Sequence, residues 1–135
     1  MDLASTIDIS ASGLRAQSLR MRIIAENLAN QDSIAATPGG TPYTRKIVTF
    51  RPVVDAKSGA TTVAASRIVN AASQFRREYR PGNPAADAQG YILLPNVNGL
   101  VESADMQSAQ RSYEANLNVI EAARSLTTRT LDLLR

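Results

Sequence analysis

The sequence predicts a mainly α protein in which two long terminal helices pair as an antiparallel coiled coil, joined by a small middle segment that contains a β-hairpin. Three observations predict this fold. Both ends of the chain are nearly free of glycine and proline, apolar side chains recur there at heptad spacing, and the middle holds all six prolines and the β-branched runs. We therefore expect residues 1–31 and 99–135 to form one helical domain, and residues 32–98 to form the middle segment.

The first helix is predicted from residue 3 to about residue 31, because only Gly13 interrupts a run without helix breakers. The residues of its predicted seam are Ile7, Leu14, Met21, Ile24 and Leu28. A second stripe lies about 200° around the helix and contains Ile9, Ala16 and Ile23. One partner helix cannot cover both faces, so either the middle of the chain or another subunit covers this stripe, and the sequence leaves both alternatives open.

The middle segment is predicted to contain one hairpin. Residues 45–54 and 60–69 are rich in β-branched residues, and the residues between them have turn chemistry. Loops rich in proline and glycine flank this hairpin, and a short apolar run, Tyr91–Leu94, ends at Pro95. Because two strands alone are only marginally stable, we expect the hairpin to depend on the helices for support.

A basic cluster follows the hairpin and contains Arg76, Arg77 and Arg80 around Glu78. Arginines with interleaved aromatic residues can bind phosphate or stack on bases. No second basic cluster supports that function, and the remaining basic residues are spread along a chain of net charge +3. The sequence therefore favours a solvated strand or loop beside acidic residues, and no nucleic-acid partner.

The second helix is predicted over residues 100–134, with Asn98 as its N-cap and with Glu102 and Asp105 in its opening turns, where the helix dipole favours negative charge. The residues of its predicted seam are Met106, Tyr113, Asn116, Leu117, Ile120, Leu131 and Leu134. A flanking stripe contains Val119, Leu126 and Leu133. The resulting apolar sector of about 160° is wider than one partner helix covers, which favours an assembling protein over a self-contained monomer.

The composition excludes most catalytic chemistry. The chain has no cysteine, histidine or tryptophan, and therefore no thiolate nucleophile, disulfide or imidazole base. A carboxylate-dependent hydrolase is a weak alternative, because no phosphate loop and no paired nucleophile and base are present. We expect no enzymatic activity, no cofactor, no metal and no small-molecule substrate.

Four segments carry a resemblance to a known family. They are residues 12–30, which include the run from Ile24 to Asn30, residues 42–50, residues 81–98, and the run from Met106 to Asn116. The first segment resembles the signature shared by axial flagellar proteins, and the others are similar to the flagellar basal-body rod protein family, most closely to its proximal rod members. The signature residues are Asn27, Asn30, Tyr43, Pro84, Tyr91, Pro95, Asn96 and Asn98. The chain departs from the family pattern in a longer linker after Gln31 and in Ser103, where the family tends to have an apolar residue.

This resemblance implies a structural subunit of the bacterial flagellum. Such a subunit is exported by the flagellar type III apparatus without a cleaved signal peptide and polymerises in the periplasm into the helical drive shaft that transmits torque. Its partners are then itself, the other rod proteins and the export apparatus, and its terminal helices are poorly ordered before assembly. The alternative is a soluble coiled-coil adaptor or chaperone of a type III export system.

Two further expectations concern the helices. If their outer ends lie level, the numbers of facing residues sum to about 137, which places Leu14 near Ala123 and Met21 near Asn116. A polar residue at a seam position such as Asn116 usually fixes register. Asn27 and Asn30 are candidate caps of the first helix in left-handed conformations.

Overall fold

The computed structural model describes residues 3–133. Two long helices, α1 (Leu3–Ala29) and α2 (Gly99–Leu133), lie at the two ends of the described chain. Between them in sequence are the strands β1 (Lys46–Val54), β2 (Thr61–Asn70), β3 (Arg76–Tyr79) and β4 (Tyr91–Leu94). The strands form two separate two-stranded sheets, β1 with β2 and β3 with β4. The two helices contact each other and the sheets are small antiparallel hairpins, so the predicted fold class is confirmed.

The predicted cap of α2 is present in the structure, whereas the predicted caps of α1 are not. At the start of α2, the Asn98 side-chain oxygen accepts the N–H groups of Leu100 at 3.1 Å and Val101 at 3.4 Å, which confirms the predicted N-cap. At the end of α1, no non-glycine residue of the described chain has a positive φ, so the left-handed caps predicted for Asn27 and Asn30 are wrong. The Asn30 amide instead donates to the Glu26 carbonyl at the helix end, and the Asn27 amide bonds groups outside α1.

Two close contacts show that the helices run antiparallel and define their register. A Cβ atom added to Gly13 would lie 2.8 Å from Oδ1 of Asn116, and the Asn27 amide donates to Glu102 at 3.1 Å. The residue numbers of both pairs sum to 129. The predicted direction is therefore confirmed, whereas the predicted offset is wrong by eight residues in that sum, or about 12 Å along the helix. The helices are not level because specific contacts, and not the chain ends, set the offset.

The hairpin of β1 and β2 closes through a tight turn. The N–H of Asp55 donates to the carbonyl of Ala60 at 2.8 Å, and Gly59 follows the turn with a φ of 66°, a conformation that favours glycine. The Asp55 carboxylate accepts the N–H groups of Ser58 and Lys57, and these bonds lower the pKa of Asp55. The predicted hairpin and its turn are thus confirmed.

The second hairpin pairs the basic cluster with the apolar run. Arg76 faces Leu94 and Tyr79 faces Tyr91 in an antiparallel register. Arg77 bonds the Asp87 carboxylate at 3.0 Å, and Arg80 bonds Glu78 at 2.9 Å, which confirms an exposed strand beside acidic residues. The pairing of these two segments is not predicted by the sequence. Ile92 and Leu94, which lie on one face of β4, form a small core with Ala85, against which Ile34 and Ala86 pack.

The chain divides into two compact units. One comprises the residues up to Met21, Val48–Arg67 and the residues from Gln107 onwards, and the other comprises Arg22–Ile47 and Ile68–Met106. Each unit thus contains a stretch of both helices together with strand residues. The division into a helical domain, residues 1–31 with 99–135, and a middle segment, residues 32–98, stays a prediction.

Candidate assembly site

One residue of the predicted seam is buried on each helix. On α1, Ile24 is buried and the other four seam residues, Ile7, Leu14, Met21 and Leu28, are half-buried. On α2, Ile120 is buried, Met106, Tyr113 and Asn116 are half-buried, and Leu117 and Leu131 are exposed. Leu134 lies outside the described residues. The alanines beside the predicted seam, Ala109 and Ala123, are more deeply buried than most of the seam residues themselves.

The second stripe of α1 is largely covered within the single chain. Ala16 and Ile23 are buried, and Ile9 is half-buried. On the same face, the Ser12 hydroxyl accepts the N–H of Val63 in β2 at 3.0 Å and donates to the Ile9 carbonyl at 2.6 Å. This contact favours the alternative in which the middle of the chain covers the stripe.

The β1–β2 hairpin also approaches α1 through an arginine. The Arg20 guanidinium lies 5.2 Å from the centre of the Phe50 ring in β1, within the range of a cation–π interaction. The intersubunit role of Ile9, Ala16 and Ile23 stays a prediction.

The flanking stripe of α2 differs from the α1 stripe because it has no such cover. Val119 is 43% exposed, Leu126 is 52% exposed and Leu133 is 88% exposed. The register also places Leu3 opposite Leu126, since their numbers sum to 129 like those of the two close contacts. Beyond that point the last two turns of α2 have no described α1 residue beside them. Exposed apolar residues that continue in helical spacing are typical of a surface that another chain covers.

A buried polar junction ties the end of α1 to the start of β1. Asn27 is 1% exposed, and its side-chain amide bonds both main-chain groups of Lys46: it accepts the N–H at 2.9 Å and donates to the carbonyl at 2.9 Å. Its remaining partners are the Tyr43 hydroxyl, which donates to it at 2.9 Å, and the Glu102 carboxylate. The amide therefore uses all four of its hydrogen-bonding positions, as an asparagine buried in this way must.

Glu102 brings α2 into the same junction. Its side chain is fully buried, and its carboxylate accepts from the Arg45 guanidinium as well as from Asn27. Arg45 also reaches Asp105, a more exposed carboxylate one turn along α2, at 3.5 Å. Glu102 thus has a specific structural role that the dipole interpretation did not include. Among the described residues, no group of three potential ligands could hold a metal ion.

Asparagine and lysine side chains complete the junction around β1. The Asn96 side chain accepts the Arg45 N–H at 2.7 Å and donates to the Ser73 carbonyl at 2.9 Å. Lys46 pairs with Glu26 on α1. Burial, with the charges of Glu26 and Glu102, raises the pKa of Tyr43 above its usual value of 10.0.

The other signature residues lie outside this junction's hydrogen-bond network. Asn30 donates to the Glu26 carbonyl at 2.9 Å and Asn98 caps α2, while Pro95 is fully buried and Pro84 is exposed. The Tyr91 ring contacts Tyr79 edge to face, with centroids 5.2 Å apart. None of these side chains forms a catalytic arrangement.

Sequence reasoning missed the pairing of Glu102 with Arg45, although the sequence contains a signal for it. Glu102 continues the alternating spacing of four and three residues that runs through Met106, Ala109 and Tyr113. A carboxylate on the seam side of a paired helix must find a cation or hydrogen-bond donors when it is buried. The partner itself, which lies 57 residues earlier and directly precedes β1, could not be read from that spacing.

Comparisons with known proteins indicate the class to which the chain belongs. Residues 88–133 match the family model described as flagellar basal body rod FlgEFG protein C-terminal, which indicates a structural protein of the flagellar rod. Within the described residues, neither helix has the length and apolar character to cross a membrane.

Relatives of nearly full length identify the family more closely. The flagellar basal-body rod protein FlgC of Agrobacterium fabrum is 48% identical, over 98% of this chain and 96% of its own length. FlgC of Salmonella typhimurium is 42% identical over 98% of both chains, and FlgC of Aquifex aeolicus is 38% identical over 98% of this chain and 97% of its own. The chain belongs to the FlgC family of flagellar basal-body rod proteins. It is a structural protein of the proximal rod and not an enzyme, and the predicted resemblance is confirmed.

Proposed function

We propose that this chain polymerises with copies of itself and with other rod proteins into a helical tube that transmits torque. The exposed stripe of Val119, Leu126 and Leu133 on α2 carries this proposal. A contact between different surfaces of successive copies produces a helical tube when its rotation does not close into a ring. No chemistry is needed for this function, because stiffness comes from many small apolar contacts.

The energetics favour folding that is completed by assembly. Ordering each residue costs about 1–2 kcal/mol in backbone entropy, and an exposed helix end recovers little of that cost. Burial of a leucine or isoleucine side chain contributes about 1.5–3 kcal/mol. A neighbouring subunit that covers the α2 stripe therefore adds several kcal/mol where the free subunit has least support. The seam residues Leu117 and Leu131, which are exposed in the single chain, are candidates for the same interface.

We further propose that the chain reaches the periplasm through the flagellar type III export apparatus, without a cleaved signal peptide. Export through a narrow channel requires a subunit that unfolds readily. A single chain with two small sheets and exposed helix ends meets that requirement. Family membership favours this function over the alternative of a soluble export adaptor or chaperone.

The α2 stripe is tested by charge substitution in cells that lack their own copy of the protein. We expect the double variant Leu126→Asp with Leu133→Asp to be exported normally and to build no rods, because carboxylates cannot be buried in an apolar interface. Thr128→Asp is the matched control, since Thr128 is exposed on the opposite side of the same helix. Electron microscopy of basal bodies and swimming assays give the readout, with immunoblots of periplasmic fractions for export.

Three outcomes separate the parts of this proposal. Normal rods in the double variant would contradict the stripe as an interface. Retention of the unaltered chain in the cytoplasm, bound to the export apparatus and absent from basal bodies, would contradict the rod function. Export that requires a cleaved leader, detected by mass spectrometry of the mature N-terminus, would contradict the type III route alone.

A further inference from the structure

We propose that the buried cluster of Asn27, Arg45 and Glu102 is a register latch, which holds α1, α2 and the start of β1 together in the free subunit and selects one heptad offset between the helices. This proposal deepens the proposed function. It rests on that function in one respect only, namely that a subunit with the wrong helix offset cannot join the rod. The offset itself is a property of the single chain and can be measured in the free subunit.

The apolar seam does not select one offset by itself. Sliding α2 by one heptad replaces Asn116, which faces Gly13, with Ala109 or Ala123. Both alanines are small enough to face a glycine, and heptad repeats keep apolar residues in contact after such a slip. The contact of Gly13 with Asn116 therefore tolerates the neighbouring offsets.

The latch does not tolerate them. The residues one heptad from Glu102 are Pro95, which lies outside the helix, and Ala109, which has no polar side chain. A slip would leave the Arg45 guanidinium and the Asn27 amide without their acceptor, and would move the buried carboxylate away from both donors. An unpaired buried charge is among the most costly defects in a folded protein. Only the observed offset satisfies all three side chains.

The latch also controls β1. The Asn27 amide of α1 bonds both main-chain groups of Lys46, the first residue of the strand, and Arg45, the residue before it, is the cation beside Glu102 of α2. The two helices and the strand can therefore reach their native arrangement only together. A single polar cluster thus couples the register of the helices to the position at which the strand begins.

Disulfide cross-linking in the purified full chain tests the selection of register, because the chain has no native cysteine. The pair Gly13→Cys with Asn116→Cys reports the observed offset, and Gly13→Cys with Ala109→Cys or Ala123→Cys reports the two neighbouring offsets. With the latch intact, we expect the native pair to link at least about tenfold more than either shifted pair. In the background Arg45→Met with Glu102→Met, which replaces the ion pair with apolar side chains, we expect the preference to fall below about threefold.

The matched control for this background is Asp105→Asn. Asp105 lies on the same helix and also pairs with Arg45, but its side chain is 52% exposed. We expect this variant to keep the full preference for the native pair. A tenfold preference that persists in the Arg45→Met and Glu102→Met background would overturn the latch.

Amide hydrogen exchange of the unaltered chain provides a second measurement that needs no variant. We expect the slowest amides of the helices at residues 22–29 and 102–106, around the latch. Slower exchange at residues 120–133 would contradict the proposal, even if the doubly substituted chain fails to fold. A chain that keeps the register preference but builds no rods would count against the proposed function and not against the latch.

Discussion

The two ends of α2 are stabilised by different physical means. At its start, Glu102 is fully buried and bound by the side chains of Asn27 in α1 and of Arg45, which directly precedes β1, whereas at its end Leu126 and Leu133 are largely exposed. Polar contacts are directional and leave a large penalty when they are broken, so they specify one arrangement within the chain. Apolar contacts are less specific and suit a surface that a partner completes. The difference teaches that one helix can serve both internal specification and assembly.

The largest effect is expected when the cation beside the buried start of α2 is removed. Arg45→Met leaves the Glu102 carboxylate buried without its charged partner, and we expect a loss of about 3–5 kcal/mol in the free energy of unfolding. Urea unfolding followed by far-UV circular dichroism measures it. Asp105→Asn is the control, with an expected change below about 0.5 kcal/mol because the group is exposed. Equal losses in the two variants would refute the special role of the buried carboxylate.

A smaller effect is expected at the close approach between the helices. Alanine at Gly13 gains about 0.5–1 kcal/mol in helix propensity, but its methyl group would lie 2.8 Å from Oδ1 of Asn116. We expect the clash to dominate, with a net loss of about 1–3 kcal/mol. Adding Asn116→Ala should restore the stability, and a double-mutant cycle would then give a coupling of at least about 1 kcal/mol. Additive effects of the two substitutions would show that the contact does not constrain the helices.

At the exposed end of α2, shortening an apolar side chain should hardly change the stability of the free subunit. We expect Leu133→Ala to change the free energy of unfolding by less than about 0.5 kcal/mol, because the side chain has little to lose in the single chain. The control is Ile120→Ala on the buried side of the same helix, with an expected loss of about 2–5 kcal/mol. A loss at Leu133 comparable to that at Ile120 would mean that the free subunit already covers this end.

The smallest effect concerns the phenol in the buried junction. Because burial and nearby carboxylates raise the pKa of Tyr43, the folded chain favours the protonated phenol. Stability should therefore be unchanged below the usual value of 10.0 and should fall as the pH rises above it, through the raised pKa of the folded state. Phenolate absorbance, compared with that of Tyr43→Phe, gives the measurement. The part of the titration that is missing in Tyr43→Phe belongs to the Tyr43 phenol. If that part shows an ordinary tyrosine pKa, the junction is open to water.

The helices and the first hairpin could be predicted because their signals are local. Heptad spacing, the Asn98 cap and the turn from Asp55 to Gly59 depend on residues close together in sequence, and each was found where it was expected. The cover of the second α1 stripe by the middle of the chain was one of the two alternatives that the pattern left open. Local periodicity states that a face is buried, but it does not state what buries it.

The register and the junction could not be predicted from the same signals. The offset depends on contacts such as that between Asn27 and Glu102, which are 75 residues apart. The seam repeats every heptad, so its pattern is compatible with several offsets, and the assumption of level helix ends selected the wrong one. Asn27 resembled a cap for the same reason, since its distant partners leave no trace in the local sequence.

The arrangement around the start of β1 has a consequence for how the chain can vary. The Asn27 side chain bonds the main chain of Lys46, and the Asn96 side chain accepts the main-chain N–H of Arg45. These bonds fix the backbone at this point independently of the linker that precedes it. The cost of closing a flexible loop rises by only about 0.6 kcal/mol for each doubling of its length. Insertions and deletions between residues 31 and 42 are therefore cheap, because both ends of the loop are already anchored. The longer linker expected from the sequence would, for this reason, leave the anchored frame unchanged.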